Sequence, residues 1–226
     1  FPENLIFDND IQSSLIKSNV VRTLKSHKTR EYFGGKFGLY YKNLLNANFK
    51  FGWKDPRTSL LLDFWKEIYP DAKIIHIYRN PIDVSNSLAV REIKMLKNYK
   101  SDLRKKYREY SFSSKPVYNQ SNRLIDINQG IKVWEYYINC CLNADSYFEK
   151  VLHIKYEDFI ENPKKVLESV SDFIKVRPKI NLINKTVSNV DTSRRYSFIS
   201  NDNLVKKYYE IKNIPVCKKL GYDNII

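Results

Sequence analysis

From Asp10 to about Ser26, Ile11, Leu15, Ile16, Val20 and Leu24 recur at helical spacing and predict an amphipathic helix. A glycine-interrupted stretch, Phe33-Gly34-Gly35-Lys36-Phe37-Gly38, leads into a second helical segment through Leu44. Phe49 to Trp53 reads as a short strand that ends at Lys54-Asp55-Pro56-Arg57. Pro56 biases Asp55 away from helical backbone. Thr58 or Ser59 is then placed to cap a helix carrying Leu60, Leu61, Phe64 and Trp65.

After the Pro70-Asp71 turn, Ile74, Ile75, His76, Ile77 and Tyr78 form an apolar, β-branched run that ends in Arg79. Such a run predicts a parallel strand buried on both faces. Pro81 sits where a helix begins, at a position that tolerates its missing N–H, and the helix runs on through Val84, Leu88 and Val90. Lys97 to Gln120 is charged and aromatic, with a loop at Ser113-Ser114-Lys115-Pro116. A long helix follows from about Ile125 to Phe148, its apolar face built from Ile131, Trp134, Tyr137, Ile138 and Cys141, with Gly130 in its first turns. Val151 to Tyr156 is a third strand, and Asn162-Pro163 opens a helix through Val166, Val170, Phe173 and Ile174. The tail is mixed: polar from Ser188 to Ser193, with a last helix near Asn203 to Ile211. Strands separated by helices of this length indicate an α/β fold with a parallel sheet, in which ligands gather beyond the carboxyl ends of the strands. Lys54–Arg57 and Arg79 both fall at such ends.

Composition changes this picture little. A chain of 226 residues with 28% charged residues suits a single globular domain over 1–226. No apolar stretch is long enough to span a membrane, and no secretory signal opens the chain. The net charge of +14 has two readings: attraction of polyanions or an anionic cofactor, or a compositional bias that also enriches Asn and Ile. Basic residues are spread along the chain, so no DNA partner is expected. Cys140, Cys141 and Cys217 show no metal-ligand spacing, which fits a reducing, cytoplasmic setting and no metal.

The segment Trp53-Lys54-Asp55-Pro56-Arg57-Thr58-Ser59-Leu60, followed by Ala72 to Ser87, resembles sulfotransferases that use 3'-phosphoadenosine-5'-phosphosulfate (PAPS). In that family a strand ends in Arg, a turn carries Pro, and Ser lies eight positions beyond the Arg. Arg79-Asn80-Pro81-Ile82-Asp83-Val84-Ser85-Asn86-Ser87 repeats the pattern. The resemblance implies a three-layer, P-loop-like architecture in which Arg79 and Ser87 hold the 3'-phosphate of PAPS; a planar guanidinium suits that task. Ser85, on the same helix, is the alternative hydroxyl. Val151 to Asp158 with Asn162-Pro163 is similar to a further family landmark and implies that Tyr156 lies by the adenine. Glu157 and Asp158 read as caps of the next helix.

Lys54 aligns with a family cation that stabilises charge on the leaving phosphate. Asp55 is a catalytic base if burial raises its pKa, or else a turn former before Pro56. Arg57 either supports the cofactor site or pairs with Asp63 or Asp83. His27 and Glu31 are further base candidates. Arg194 and Arg195, after Asp191-Thr192-Ser193, resemble a degraded form of the family's late basic motif, or else form a solvated loop pair. The resemblance is best over 49–162. The family's first strand and its 5'-phosphosulfate loop have no counterpart, which implies an N-terminally truncated domain or a degenerate one; the start at Phe1 favours truncation. The implied partners are PAPS and a small-molecule, carbohydrate or protein acceptor. Two rival readings exist. A kinase of similar fold needs a Walker-type loop that is not in the sequence. A non-catalytic basic protein for nucleic acid or sulfated polysaccharide would use Lys97 to Tyr110.

Overall fold

The computed structural model describes residues 10–26, 44–45, 49–101 and 122–226, which divide into two compact units. The first draws on 1–72 with 146–150, the second on 73–145 with 151–226. Gly34-Gly35, His27, Glu31 and most of Lys97 to Gln120 lie outside the described residues.

In the first unit, helix α1 (Asp10–Leu24) matches the predicted span. Its apolar stripe is not a buried one, because Leu15 and Ile16 are exposed. The Phe49–Trp53 strand is a correction: these residues join no sheet and lead into a 3-10 turn, Pro56–Leu60. Their rings pack as an aromatic cluster, with Trp53 4.8 Å from Trp65 and Phe51 5.8 Å from Tyr69. Period-2 apolar spacing thus serves ring packing here instead of a ladder. Helix α2 (Leu62–Ile68) follows, burying Leu62 and Phe64.

In the second unit, β1 (Ile74–Tyr78) and β2 (Val151–Lys155) pair in parallel, with His76 opposite His153 and Tyr78 opposite Lys155. These two strands form the sheet among the described residues. Successive side chains point to opposite faces. His76 is therefore buried, while Ile75 and Ile77 on the other face are 37% and 63% exposed. The expectation of burial on both faces fails on that side.

Helix α3 (Pro81–Ser101) starts at the predicted proline and runs about three turns further than Val90. Helix α4 (Ile127–Leu142) is capped by Asp126, whose side chain accepts from the Asn128 N–H at 2.9 Å. It buries Gly130, Ile131, Trp134 and Ile138, one helical stripe. The predicted run to Phe148 breaks at Asn143, after which α5 (Ala144–Tyr147) is a separate turn. The α3–α4 contact is close because Gly130 has no side chain: a Cβ there would lie 2.9 Å from Ser85 Cβ and 3.1 Å from Ser85 Cα.

After β2 come α6 (Tyr156–Glu161) and α7 (Pro163–Ile174), the latter opening at Asn162-Pro163 as the sequence predicts. Helix α8 (Ile180–Ser188) lies where the sequence predicts no helix, α9 (Asp202–Ile211) matches the predicted one, and α10 (Pro215–Lys219) follows it, so α9 is not the last helix. One core cluster joins Trp134, Ile138, Val216, Cys217 and Tyr222, and another joins Ile82, Ile131, Phe198 and Tyr208. Both tie the C-terminal segment to α4 and the start of α3. Among the described residues no helix is long and apolar enough to cross a membrane.

Candidate functional site at the strand ends

Parallel strands β1 and β2 deliver their last residues side by side, so Arg79 and Tyr156 follow paired positions. The Arg79 guanidinium lies over the Tyr156 ring, 4.8 Å from its centroid. This is cation–π stacking, which orients a guanidinium without consuming its N–H groups. Its Nη2 donates to Asp83 Oδ2 and to the Arg194 carbonyl, both at 2.7 Å, and reaches Ser197 Oγ at 3.4 Å. Its Nε is buried without a hydrogen-bond partner. The backbone is fixed as well, since the Trp134 indole N–H donates to the Arg79 carbonyl at 2.9 Å. Arg79 is thus anchored from α4, from α3 and from the C-terminal turn.

Beneath it lies a buried polar network that the sequence did not announce. Asn80 Nδ2 donates to both Asp83 Oδ2 and Glu157 Oε1 at 2.8 Å, and the Asn80 N–H donates to Glu157 at 3.0 Å. The Tyr222 hydroxyl donates to Glu157 Oε2 at 2.8 Å. Reading Glu157 as a helix cap is therefore corrected: its carboxylate crosses to the end of β1, while Asp158 stays exposed. A carboxylate with three donors is the arrangement that makes burial of its charge tolerable. Burial, with the Glu157 carboxylate nearby, pushes the Tyr222 phenol far above its ordinary range.

Local chemistry puts Tyr222 there. Helix α10 ends with Gly221 at φ 68°, a left-handed position suited to glycine, and the Tyr222 N–H returns to the Cys217 carbonyl at 2.8 Å. Lys155 donates to the Gly221 carbonyl at 3.1 Å and lies 4.3 Å from the Tyr222 ring centroid. A Gly-Tyr pair shortly after a helix-opening proline was the available signal, but nothing local names its distant partner.

Ser85 is fully buried against Gly130 and its hydroxyl has no partner, whereas Ser87 is exposed on α3. Arg194 meets Arg79 through its carbonyl, while its guanidinium pairs with Asp191 at 3.2 Å. Arg195 pairs with Glu161 at 2.6 Å. In the first unit Lys54 is exposed, and Arg57 pairs with Asp55, at 2.6 Å, in place of the expected Asp63. Asp55 also accepts from the Arg57 N–H and so caps the 3-10 turn. These hydrogen bonds from Arg57 lower its pKa to about 2. The condition for Asp55 as a base is not met: it is half-buried, and its contacts with Arg57 lower its pKa instead of raising it. No group of metal-ligating side chains occurs among the described residues.

An α/β protein with an arginine–tyrosine pair at the ends of two parallel strands is the class that fold and site define. The chain belongs to the sulfotransferase family, whose model matches residues 6–178. No curated protein and no solved structure matches it. The matched residues include β1, Arg79, Ser87, β2 and Tyr156; the turn at Arg194–Ser197 and the Tyr222 anchor lie beyond them.

Proposed function

We propose that this chain binds PAPS through the strand-end site and takes part in transfer of its sulfuryl group to a hydroxyl or amine. In that reaction the acceptor oxygen or nitrogen bonds to sulfur as the bond from sulfur to the bridging phosphate oxygen breaks. The bonding electrons leave with adenosine 3',5'-bisphosphate, and the acceptor proton passes to a base or to water. Like phosphoryl transfer, such chemistry depends on positioning and on stabilising charge.

The observation that carries this reading is the stacked Arg79–Tyr156 pair at the strand ends, inside the stretch that matches the sulfotransferase family. The donor set fits a nucleotide phosphate: a guanidinium with an unpartnered Nε, an aromatic face, and the start of a 21-residue helix two residues on. Arg79 takes the 3'-phosphate, Ser87 adds a hydroxyl from α3, and Tyr156 lies by the adenine. The guanidinium groups of Arg194 and Arg195 pair with Asp191 and Glu161, so they contribute general positive potential more than direct bonds.

Calorimetry with adenosine 3',5'-bisphosphate on the wild type and Arg79→Ala tests the reading. Micromolar binding that weakens at least tenfold in the variant is expected, the scale of a lost charge-assisted pair. Salt-sensitive binding of a sulfated polysaccharide, with no preference for the bisphosphate, would replace it with the polyanion-binding alternative.

A further inference from the structure

Asp83 lies in the first turn of α3 and its side chain is 2% exposed. Besides Arg79 Nη2, its carboxylate accepts from Asn80 Nδ2 at 2.8 Å, Ser197 Oγ at 2.8 Å, Ser197 N–H at 3.2 Å and Phe198 N–H at 2.8 Å. One carboxylate therefore joins the arginine to a turn 114 residues later in the chain. That turn is under backbone strain: Tyr196, between Arg194 and Ser197, has φ 49°, where a bulky side chain is disfavoured. The strain persists because Asp83 holds the turn on one side, and the Arg194 carbonyl accepts from Arg79 on the other.

We infer that Asp83 is a positioning residue for nucleotide binding: it orients the Arg79 guanidinium and clamps the Arg194–Phe198 turn beside it. This rests on the reading of Arg79 as a phosphate ligand and adds a residue and a segment to that site. Two effects of Asp83 oppose each other. Its charge offsets that of Arg79 and weakens attraction for phosphate. Its geometry saturates Nη2 with acceptors, so the arginine needs no further ordering when an anion meets its remaining donors. A long side chain ordered in advance binds with less loss of freedom. The buried carboxylate is already fully satisfied by the protein, so the second effect dominates.

An asparagine cannot replace it, because its NH2 group would face donors that now meet an oxygen. The experiment is a double-mutant cycle on the full chain, read by calorimetry with adenosine 3',5'-bisphosphate. Asp83→Asn weakens binding about tenfold in the Arg79 background, and less than twofold further in Arg79→Ala, as expected for two groups acting as one. Ser197→Ala, which keeps every charge and the backbone bonds, gives a smaller loss of about threefold that also vanishes in Arg79→Ala. It carries the test should Asp83→Asn not fold.

Tighter binding in Asp83→Asn means that the aspartate only neutralises, and equal losses in both backgrounds mean a purely structural role; either overturns the inference and leaves the proposed function standing. Failure of the wild type to bind the bisphosphate, or equal binding by Arg79→Ala, removes the reading of the site and this inference with it.

Discussion

Glu157, second residue of α6, accepts a hydrogen bond from the backbone N–H of Asn80, 77 positions earlier, at 3.0 Å. The contact locks the residue after Arg79 to the residue after Tyr156, so the guanidinium and the ring it stacks on are held from below by one carboxylate. Glu157 is fully buried and also meets Asn80 Nδ2 and the Tyr222 hydroxyl. Glu157→Leu leaves the Asn80 N–H and the Tyr222 hydroxyl buried and unpaired and takes one of two acceptors from Asn80 Nδ2, and should lower stability by about 3–5 kcal/mol in urea denaturation. Tyr222→Phe removes one donor and should cost only about 1–2 kcal/mol. Similar small losses in both would show that the network is open to water.

Gly130 is needed for contact, not for flexibility. Alanine normally stabilises a helix relative to glycine by about 1 kcal/mol. Here its Cβ would press on Ser85 Cβ and Cα, a backbone neighbour that cannot swing away. Gly130→Ala is therefore expected to destabilise by about 1–2 kcal/mol net of the propensity gain, measured as a lower melting temperature. A rise in melting temperature would mean that α3 and α4 do not approach so closely.

Acid should loosen the sheet through His76. Its Nδ1 lies 2.9 Å from His153 Nδ1 across the two strands, and His153 Nε2 is 3.0 Å from Asp145. Burial first, then the neighbouring His153, depresses the His76 pKa to about 4 from 6.5. A base with a depressed pKa in the fold binds fewer protons there than when unfolded, so stability is full above pH 6.5 and declines as pH falls toward 4. The decline amounts to at most about 3 kcal/mol. Chemical denaturation between pH 7 and pH 4 reads it, and His76→Gln should flatten the curve. An unchanged slope in the variant would assign the decline to other groups.

Asp55 is expected to matter as a cap. Asp55→Ala removes the acceptor for the Arg57 N–H and should cost about 0.5–1 kcal/mol, with no effect on affinity for adenosine 3',5'-bisphosphate. Thermal melts and calorimetry on the same sample check both halves. A large loss of affinity would return Asp55 to the binding machinery.

Much of this arrangement was legible along the chain because its causes are local. The β-branched run at Ile74–Tyr78, the prolines at 81 and 163 and the strand before Tyr156 each leave a mark within a few residues. The family pattern from Arg79 to Ser87 added the candidate chemistry; that Ser85 is buried and Ser87 exposed was not legible locally. Phe49–Trp53 misled because alternating apolar residues describe an aromatic cluster as well as a strand.

What the chain determined alone was the set of elements near the site and the arginine that ends β1. Only the tertiary structure made Asp83, Glu157, Ser197 and Tyr222 one support beneath that arginine, because the bonds that bring in Glu157, Ser197 and Tyr222 span 65 to 115 positions and no local pattern encodes a partner so far away. Side chains of ordinary type became a site once folding withdrew them from water and left them no partners but one another.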